Sequence, residues 1–265
     1  MKQAEDFRAE SRALAAILEP LDSDDFDRVT QFRGWSVNHV LGHLHFFNVA
    51  ARLSIRGGED ATRFLAPIAA DVAAGKTILE TQFDFIGNLE GRALLDEWRA
   101  EADRLADACA EAGPKTRVKW VGPEMSALSA ITARQMETWA HGQEIFDLLG
   151  VNRQEDDRIL NIAFLGVNTY GWSFRNRGFE SPKPAPWVTL TAPSGAAWER
   201  NEQQENNRIN GSAVDFARVV TQVRNIADTS LDLVGEAARR WMQIAQCFAG
   251  PPVDPPAPGT RSRAR

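Results

Sequence analysis

The chain has 265 residues, is 43% hydrophobic and 25% charged, and carries a formal net charge of −6. That balance suits a globular protein of one large or two modest domains, and it argues against the clustered positive field that duplex nucleic acid requires. No apolar run approaches the roughly 20 residues needed to cross a bilayer. The opening MKQAEDFRAESRAL has no apolar signal region, and Cys109 and Cys247 fit no Cys-x-x-Cys pattern. The expectation is a reducing cytoplasm and no nucleic-acid or membrane partner.

The first 150 residues read as successive helices. Phe7, Leu14, Ile17 and Leu18 recur at helical spacing over 4–18. A second helix is expected over 36–55, and two short Ala-rich helices over 59–85 form an insertion or crossover. Leu94, Leu95, Trp98, Leu105 and Cys109 mark a helix over 92–111. The last, 126–149, runs into Gly150, a residue suited to the position just past a helix end. Four long helices with a crossover predict a four-helix bundle.

From 151 the chain changes character. One further helix is expected over 156–175. The stretch ESPKPAPWVTLTAPSGAAWERNEQQENNRINGS is rich in turn formers, with a β-prone piece at 187–191. Helices over 212–223 and 236–248 flank a possible strand, SLDLVG. This half predicts a small α+β domain over 151–249. The Pro-rich 250–265 is expected to be a disordered tail.

Three of the four histidines, His39, His43 and His45, sit within GWSVNHVLGHLHFF. Ser36 suits an N-cap, and Trp35 with Val40 occupies the two positions of a hydrophobic staple. His43 shares an apolar stripe with Val40, Phe47 and Ala50, so it should point inward. A buried neutral imidazole without a partner costs about 1–3 kcal/mol. The ordinary solution is a hydrogen bond to a carbonyl, and periodicity alone does not choose between His43 and His45.

The second constellation is ARQMETWAHGQEIFDLLG, where Glu137 and His141 are four apart on one helix face. The plain alternative is a surface acid–imidazole pair. Met136, Trp139, Ala140 and Ile145 crowd this pair, however, and a carboxylate in such company is costly unless paired or bound to a cation. A histidine from one helix and Glu-x-x-x-His from another make a two-His, one-carboxylate set. Catalytic zinc sites use such sets, and non-haem iron and nickel also accept them.

These residues also carry a family resemblance. Gly34, Trp35, Ser36, Val37 and His43 match a Gly-Trp-(Ser/Thr)-Val…His element. Trp120, Gly122, Met125 and Ser126 match Trp-x-Gly-x-x-Met-Ser. Arg134, Glu137, Trp139, His141, Gly142, Glu144 and Ile145 match Arg-x-x-Glu-x-Trp-x-His-Gly-x-(Asp/Glu)-Ile, with Glu144 where Asp is commoner. Together they resemble the DinB-like metal-binding bundles, in particular the mycothiol-dependent maleylpyruvate isomerases. The resemblance implies an α+β chain: a DinB-like four-helix bundle over 1–150, then a small sterol-carrier-like domain.

It further implies that His43, Glu137 and His141 ligate a divalent metal, zinc first, and that His39 and His45 do not. The run from Ile209 to Phe248 resembles the family's second domain less closely, with Arg224 at the place of a substrate-contacting arginine. The implied chemistry is a thiol-dependent isomerase or S-transferase with a low-molecular-weight thiol as cofactor, acting on a small anionic electrophile. A non-catalytic metal-binding or stress-associated protein, or a metal-dependent hydrolase, remain the alternatives.

Overall fold

The computed structural model describes residues 1–120 and 124–264. Gly122 of the Trp-x-Gly-x-x-Met-Ser element lies outside the described residues. By internal contacts the chain divides into two compact units, Met1–Leu148 and Leu149–Arg265.

The first unit is helical. Its long helices are α1 (Lys2–Leu18), α2 (Val37–Arg56), α5 (Gly91–Glu111) and α6 (Ala127–Leu148), with the shorter α3 (Glu59–Ala73) and α4 (Glu80–Ile86) between α2 and α5. A two-residue ladder pairs β1 (Arg117–Val118) with β2 (Met125–Ser126). Helices α1 and α2 each pack on both α5 and α6, so α1/α2 and α5/α6 are the diagonals of a four-helix bundle, while α3 and α4 pack on α2. The sequence periodicity explains the assembly. Ala4, Phe7, Leu14 and Leu18 of α1 are buried on one face, and Arg8 on its flank reaches Asp103 and Asp107 of α5, each at 2.6 Å. Leu14, Leu41, Leu44, Leu94, Trp98 and Leu105 are fully enclosed, each burial contributing roughly 1.5–3 kcal/mol.

The second unit is mixed. It holds α7 (Leu160–Asn168), α8 (Tyr170–Arg175), β3 (Trp187–Thr191), β4 (Ala197–Arg200), β5 (Arg208–Ser212), α9 (Ala213–Val220), β6 (Asp232–Val234) and α10 (Glu236–Ile244). The sheet order is β4-β3-β5-β6. The β3/β4 and β5/β6 pairs are antiparallel, and β3/β5 is parallel with Val188 opposite Ile209. Val188 and Leu190 alternate inward, and α9 covers that face. The expected single helix over 156–175 is broken at Thr169, whose hydroxyl donates to the carbonyls of Leu165 and Gly166 and so ends α7. Gly166 lets α7 approach α9: a Cβ there would stand 2.7 Å from Val220 Cγ2.

The segment from 250 onward departs from the expected disordered tail. Gln246 Nε2 donates to the Pro251 carbonyl and Gln246 Oε1 accepts from the Val253 amide. Gln222 and Asn225 donate to the carbonyls of Val253 and Pro256, each at 2.8 Å. Asp228 accepts from the Gly259 amide, and Arg177 pairs with Asp254 at 2.7 Å. Composition misleads here because the strap is held through its backbone, which Pro-rich chain offers freely, and not by apolar burial. Among the described residues, no helix is long and apolar enough to cross a membrane.

Candidate metal centre

The site begins in the turn before α2. Arg33 and Gly34 both have positive φ, 52° and 70°, conformations that glycine adopts without strain. The turn brings Trp35 back so that its amide donates to the Phe32 carbonyl and its carbonyl accepts from the Thr30 amide and hydroxyl. Trp35 is thereby buried. Ser36 then caps α2, its hydroxyl accepting from the His39 amide at 3.3 Å while His39 Nδ1 accepts from the Ser36 amide at 3.2 Å. This reciprocal box accounts for His39: it closes the capping box from the third position of α2. His45 is buried with its ring 5.7 Å from that of Phe85, and burial lowers its pKa.

His43 turns instead toward α6. Its Nε2 lies 3.6 Å from Glu137 Oε2, and His141 Nε2 lies 3.2 Å from the same oxygen. One ligand atom from each of the three falls within 4.8 Å of the others. His43 is buried, while Glu137 and His141 are partly exposed, which places the cluster at the edge of the bundle core. Aromatic rings wall it. The Trp35 indole stacks on the His141 imidazole at 5.8 Å and 10°, Phe32 meets His141 edge-on at 4.9 Å, and Phe47 lies 4.9 Å from His43.

Burial pushes the His43 imidazole down to about 4, against the opposing pull of Glu137. Burial alone would raise the Glu137 carboxyl, but hydrogen bonds and charge from His141 and His43 outweigh it and hold the carboxyl well below its usual range. The state we take from this is a neutral His43 beside an ionised Glu137, the form in which such ligands bind a cation. The geometry fits as well. Ligands about 2.0–2.1 Å from one tetrahedral ion stand roughly 3.3–3.5 Å apart, close to the two separations from Glu137 Oε2. His43 Nδ1 is buried with no hydrogen-bond partner among the described residues, and packing against Trp35 and Phe47 orients this imidazole.

Sequence reasoning put Arg134 in a motif but gave it no job. Its side chain is only 4% exposed. Nε donates to Asn48 Oδ1 at 3.1 Å, Nη2 to the Leu44 carbonyl at 3.4 Å, and the guanidinium lies 5.8 Å from the Phe47 ring centre. Burial lowers its pKa to about 10, which leaves it charged at neutral pH. The available signal was an arginine one turn before Glu137 on a helix face that is otherwise enclosed. Trp35 and Phe32 as the wall over His141 were also missed, because the turn that places them is not periodic.

Arg224 belongs to the second unit, in the bend after α9, where it is half-buried and donates to the Val223 carbonyl at 3.0 Å. Cys109 is fully buried and its thiol is pushed up to about 12 by burial, so it packs as a small hydrophobe.

Comparison with known proteins adds a family. The family model described as the mycothiol maleylpyruvate isomerase N-terminal domain matches residues 7–146. Two uncharacterized proteins of Mycobacterium tuberculosis, one from strain CDC 1551 and one from strain H37Rv, are each 36% identical over 247 residues, covering 93% of this chain and 95% of theirs. Among solved structures, the mycothiol-dependent maleylpyruvate isomerase aligns with a TM-score of 0.52 at 16% identity, over 82% of this chain and 87% of that one. A histidine-to-alanine mutant of the same enzyme aligns with the same TM-score at 15% identity. At such identity the likeness is one of fold.

Proposed function

Because the chain belongs to the family of the mycothiol maleylpyruvate isomerase N-terminal domain, we propose that it is a metal-dependent enzyme that uses a low-molecular-weight thiol on a small anionic electrophile, as an isomerase or an S-transferase. One observation carries the reading: two imidazoles from different helices converge on a single ionised carboxylate, His43 at 3.6 Å and His141 at 3.2 Å. In this reading His43, Glu137 and His141 are the ligands of a divalent cation, zinc first among those that such donors accept. When bound, that cation supplies the charge that keeps a thiol in its deprotonated, nucleophilic form.

The chain's own residues do the rest. Glu137 is already ionised and His43 already neutral, so neither has to shed a proton before it can donate a lone pair. Trp35, Phe32 and Phe47 restrict water around the imidazoles, which strengthens every charge interaction among them. Arg224 is the candidate for holding a substrate carboxylate, since its planar fork suits two oxygens at once. A cytoplasmic location follows in this reading from a thiol cofactor, which a reducing compartment keeps reduced.

The test is an assay of zinc-loaded protein with maleylpyruvate, with and without mycothiol. The reading expects isomerisation or adduct formation that needs both metal and thiol. Protein that carries the metal yet neither binds mycothiol nor turns over any anionic electrophile would sink it.

A further inference from the structure

Between α2 and the inserted α3 and α4 lies a cavity of about 520 Å³, within the roughly 300–1,000 Å³ that sites for small organic molecules occupy. Its apolar lining comes from Phe46 and Leu53 of α2, Phe64 and Ile68 of α3, and Phe85 of α4. The rings of Phe46, Phe64 and Phe85 stand 5.3 Å apart in each pairing and so form one aromatic wall. His43, Glu137 and His141 are not among the residues that line it.

The insert leaves this surface open. The buried residues of α3 are Ala61, Leu65 and Ile68, and those of α4 are Thr81 and Gln82. Of the seven exposed large hydrophobic side chains among the described residues, four fall in this stretch: Val72, Ile78, Phe83 and Phe85. Apolar residues scattered singly over a surface need no explanation, but a concentrated patch marks a contact surface.

The charged lining has one dominant sign. Asp60, Asp71 and Asp84 line the cavity against Arg63. Arg63 stands 3.6 Å from Asp60, and Lys76 stands 2.8 Å from Asp71. Asp84 is left without an ion pair among the described residues, and Lys76 feels its charge only at longer range. Aromatic faces attract a cation through their quadrupole, and a carboxylate beside them attracts the same charge. A carboxylate or phosphate ligand meets repulsion here.

We propose that this cavity is a second ligand site, which takes an amphipathic organic cation: an apolar body against the three phenylalanines and a cationic head beside Asp84. The site does not depend on the metal reading. The sign of its charge separates it from the anionic electrophile of the proposed reaction.

Tetraphenylphosphonium and tetraphenylborate are matched in size and apolar surface and opposite in charge, so calorimetric titration of the full chain with each separates charge from hydrophobicity. The phosphonium should bind at one site, and the borate about tenfold or more weaker. Asp84→Asn should weaken the phosphonium about fivefold, and Phe85→Ala about tenfold. Asp84 and Phe85 are both exposed, so both variants should fold. Glu202→Gln removes an exposed acid of the second unit and should leave the affinity unchanged, which controls for the chain's overall negative charge.

Equal affinity for the two ions, or no binding of the phosphonium, would overturn the proposal. So would a loss in Glu202→Gln equal to that in Asp84→Asn, which would assign the binding to net charge. Full affinity in Phe85→Ala would place the ligand elsewhere and overturn it too. A dimer in sedimentation velocity that Phe85→Ala splits would give this face to a second copy of the chain, with the same consequence.

Discussion

The α2–α6 junction and the C-terminal strap both bury polar side chains, and they treat them in opposite ways. In the strap the amides are matched. Gln222 donates to the Ala245 and Val253 carbonyls, and Gln246 both donates to Pro251 and accepts from Val253. At the junction His43 Nδ1, Asn48 Nδ2 and Thr138 Oγ1 are buried without a hydrogen-bond partner among the described residues, Glu137 is ionised between two imidazoles, and buried Arg134 donates to the neutral acceptors Asn48 and Leu44. Buried polar groups are normally satisfied, so the exceptions call for an explanation. The strap's polarity serves the fold of its own unit. The junction's polarity costs stability in the isolated chain, and under the function proposed above a bound cation offsets that cost.

The largest expected effect comes from the histidines, which the comparison sorts by role. His43→Ala and His141→Ala should each lower zinc affinity by more than about a hundredfold, beyond the 10–100-fold typical of residues outside the ligand set. His39→Ala should leave zinc affinity alone and cost about 1 kcal/mol of stability through the lost side-chain half of the capping box. Competition with a chromophoric chelator measures the first and urea unfolding the second. Loss of zinc in His39→Ala or His45→Ala, with His43→Ala unaffected, would reverse the assignment.

The strap comes next. Truncation after Gly250 removes several hydrogen bonds and leaves Gln246 and Gln222, 1% and 5% exposed, with only part of their partners, Phe248 and Ala245. At about 0.5–1.5 kcal/mol for each bond, and more for each amide left unsatisfied, the loss should be near 3 kcal/mol. It would be seen as a lower melting temperature with zinc content unchanged. An unaltered melting temperature would mean that the strap is not part of the fold.

Acid should expose the cost at the junction. Between the ordinary imidazole value and about 4, the unfolded chain takes up a proton that buried His43 refuses. Metal-free protein is therefore at full stability above about pH 6.5 and loses roughly 2–3 kcal/mol as the pH falls toward 4. Glu137, held below the carboxylate range, adds to the loss in the same direction below about pH 4.5. His43→Gln should flatten the upper part of that decline in urea midpoints, and an unchanged slope would contradict the assigned protonation state. A smaller effect is expected at Arg224. Arg224→Ala should keep zinc and thiol binding and slow turnover of an acidic electrophile about 10- to 100-fold, with Arg224→Lys recovering part of it. Equal turnover would remove it from the reaction.

Much of the first unit is legible in the sequence because burial there is periodic. Helix spacing in α1, α2, α5 and α6 aims Phe7, Leu41, Trp98 and Ile131 inward and puts Glu137 and His141 on one face, but it leaves His43 and His45 equally inward, and the family resemblance is what singles out His43. His39 is legible only as a neighbour of the cap, since the reciprocal bond depends on its side-chain angle. In the second unit the signal weakens. Strand β4 is mostly exposed, and β5 offers Ile209 as its one fully buried residue, so neither shows alternation. The break at Thr169 hides in a run apolar on both sides, and the strap hides because its partners are backbone carbonyls. Arg134 stands apart from these, since its motif is visible and its hold on Asn48 and Leu44 of α2 is not.

The most direct test of the account is elemental analysis of protein purified without chelators, wild type beside Glu137→Gln. Gln keeps the size of the side chain and removes the charge that gathers the two imidazoles. The account predicts about one divalent ion per chain in the wild type, a large loss of it in Glu137→Gln, and a folded variant in both near- and far-ultraviolet circular dichroism. A metal-free wild type that cannot be loaded with zinc, or a Glu137→Gln protein that retains its metal in full, would contradict it.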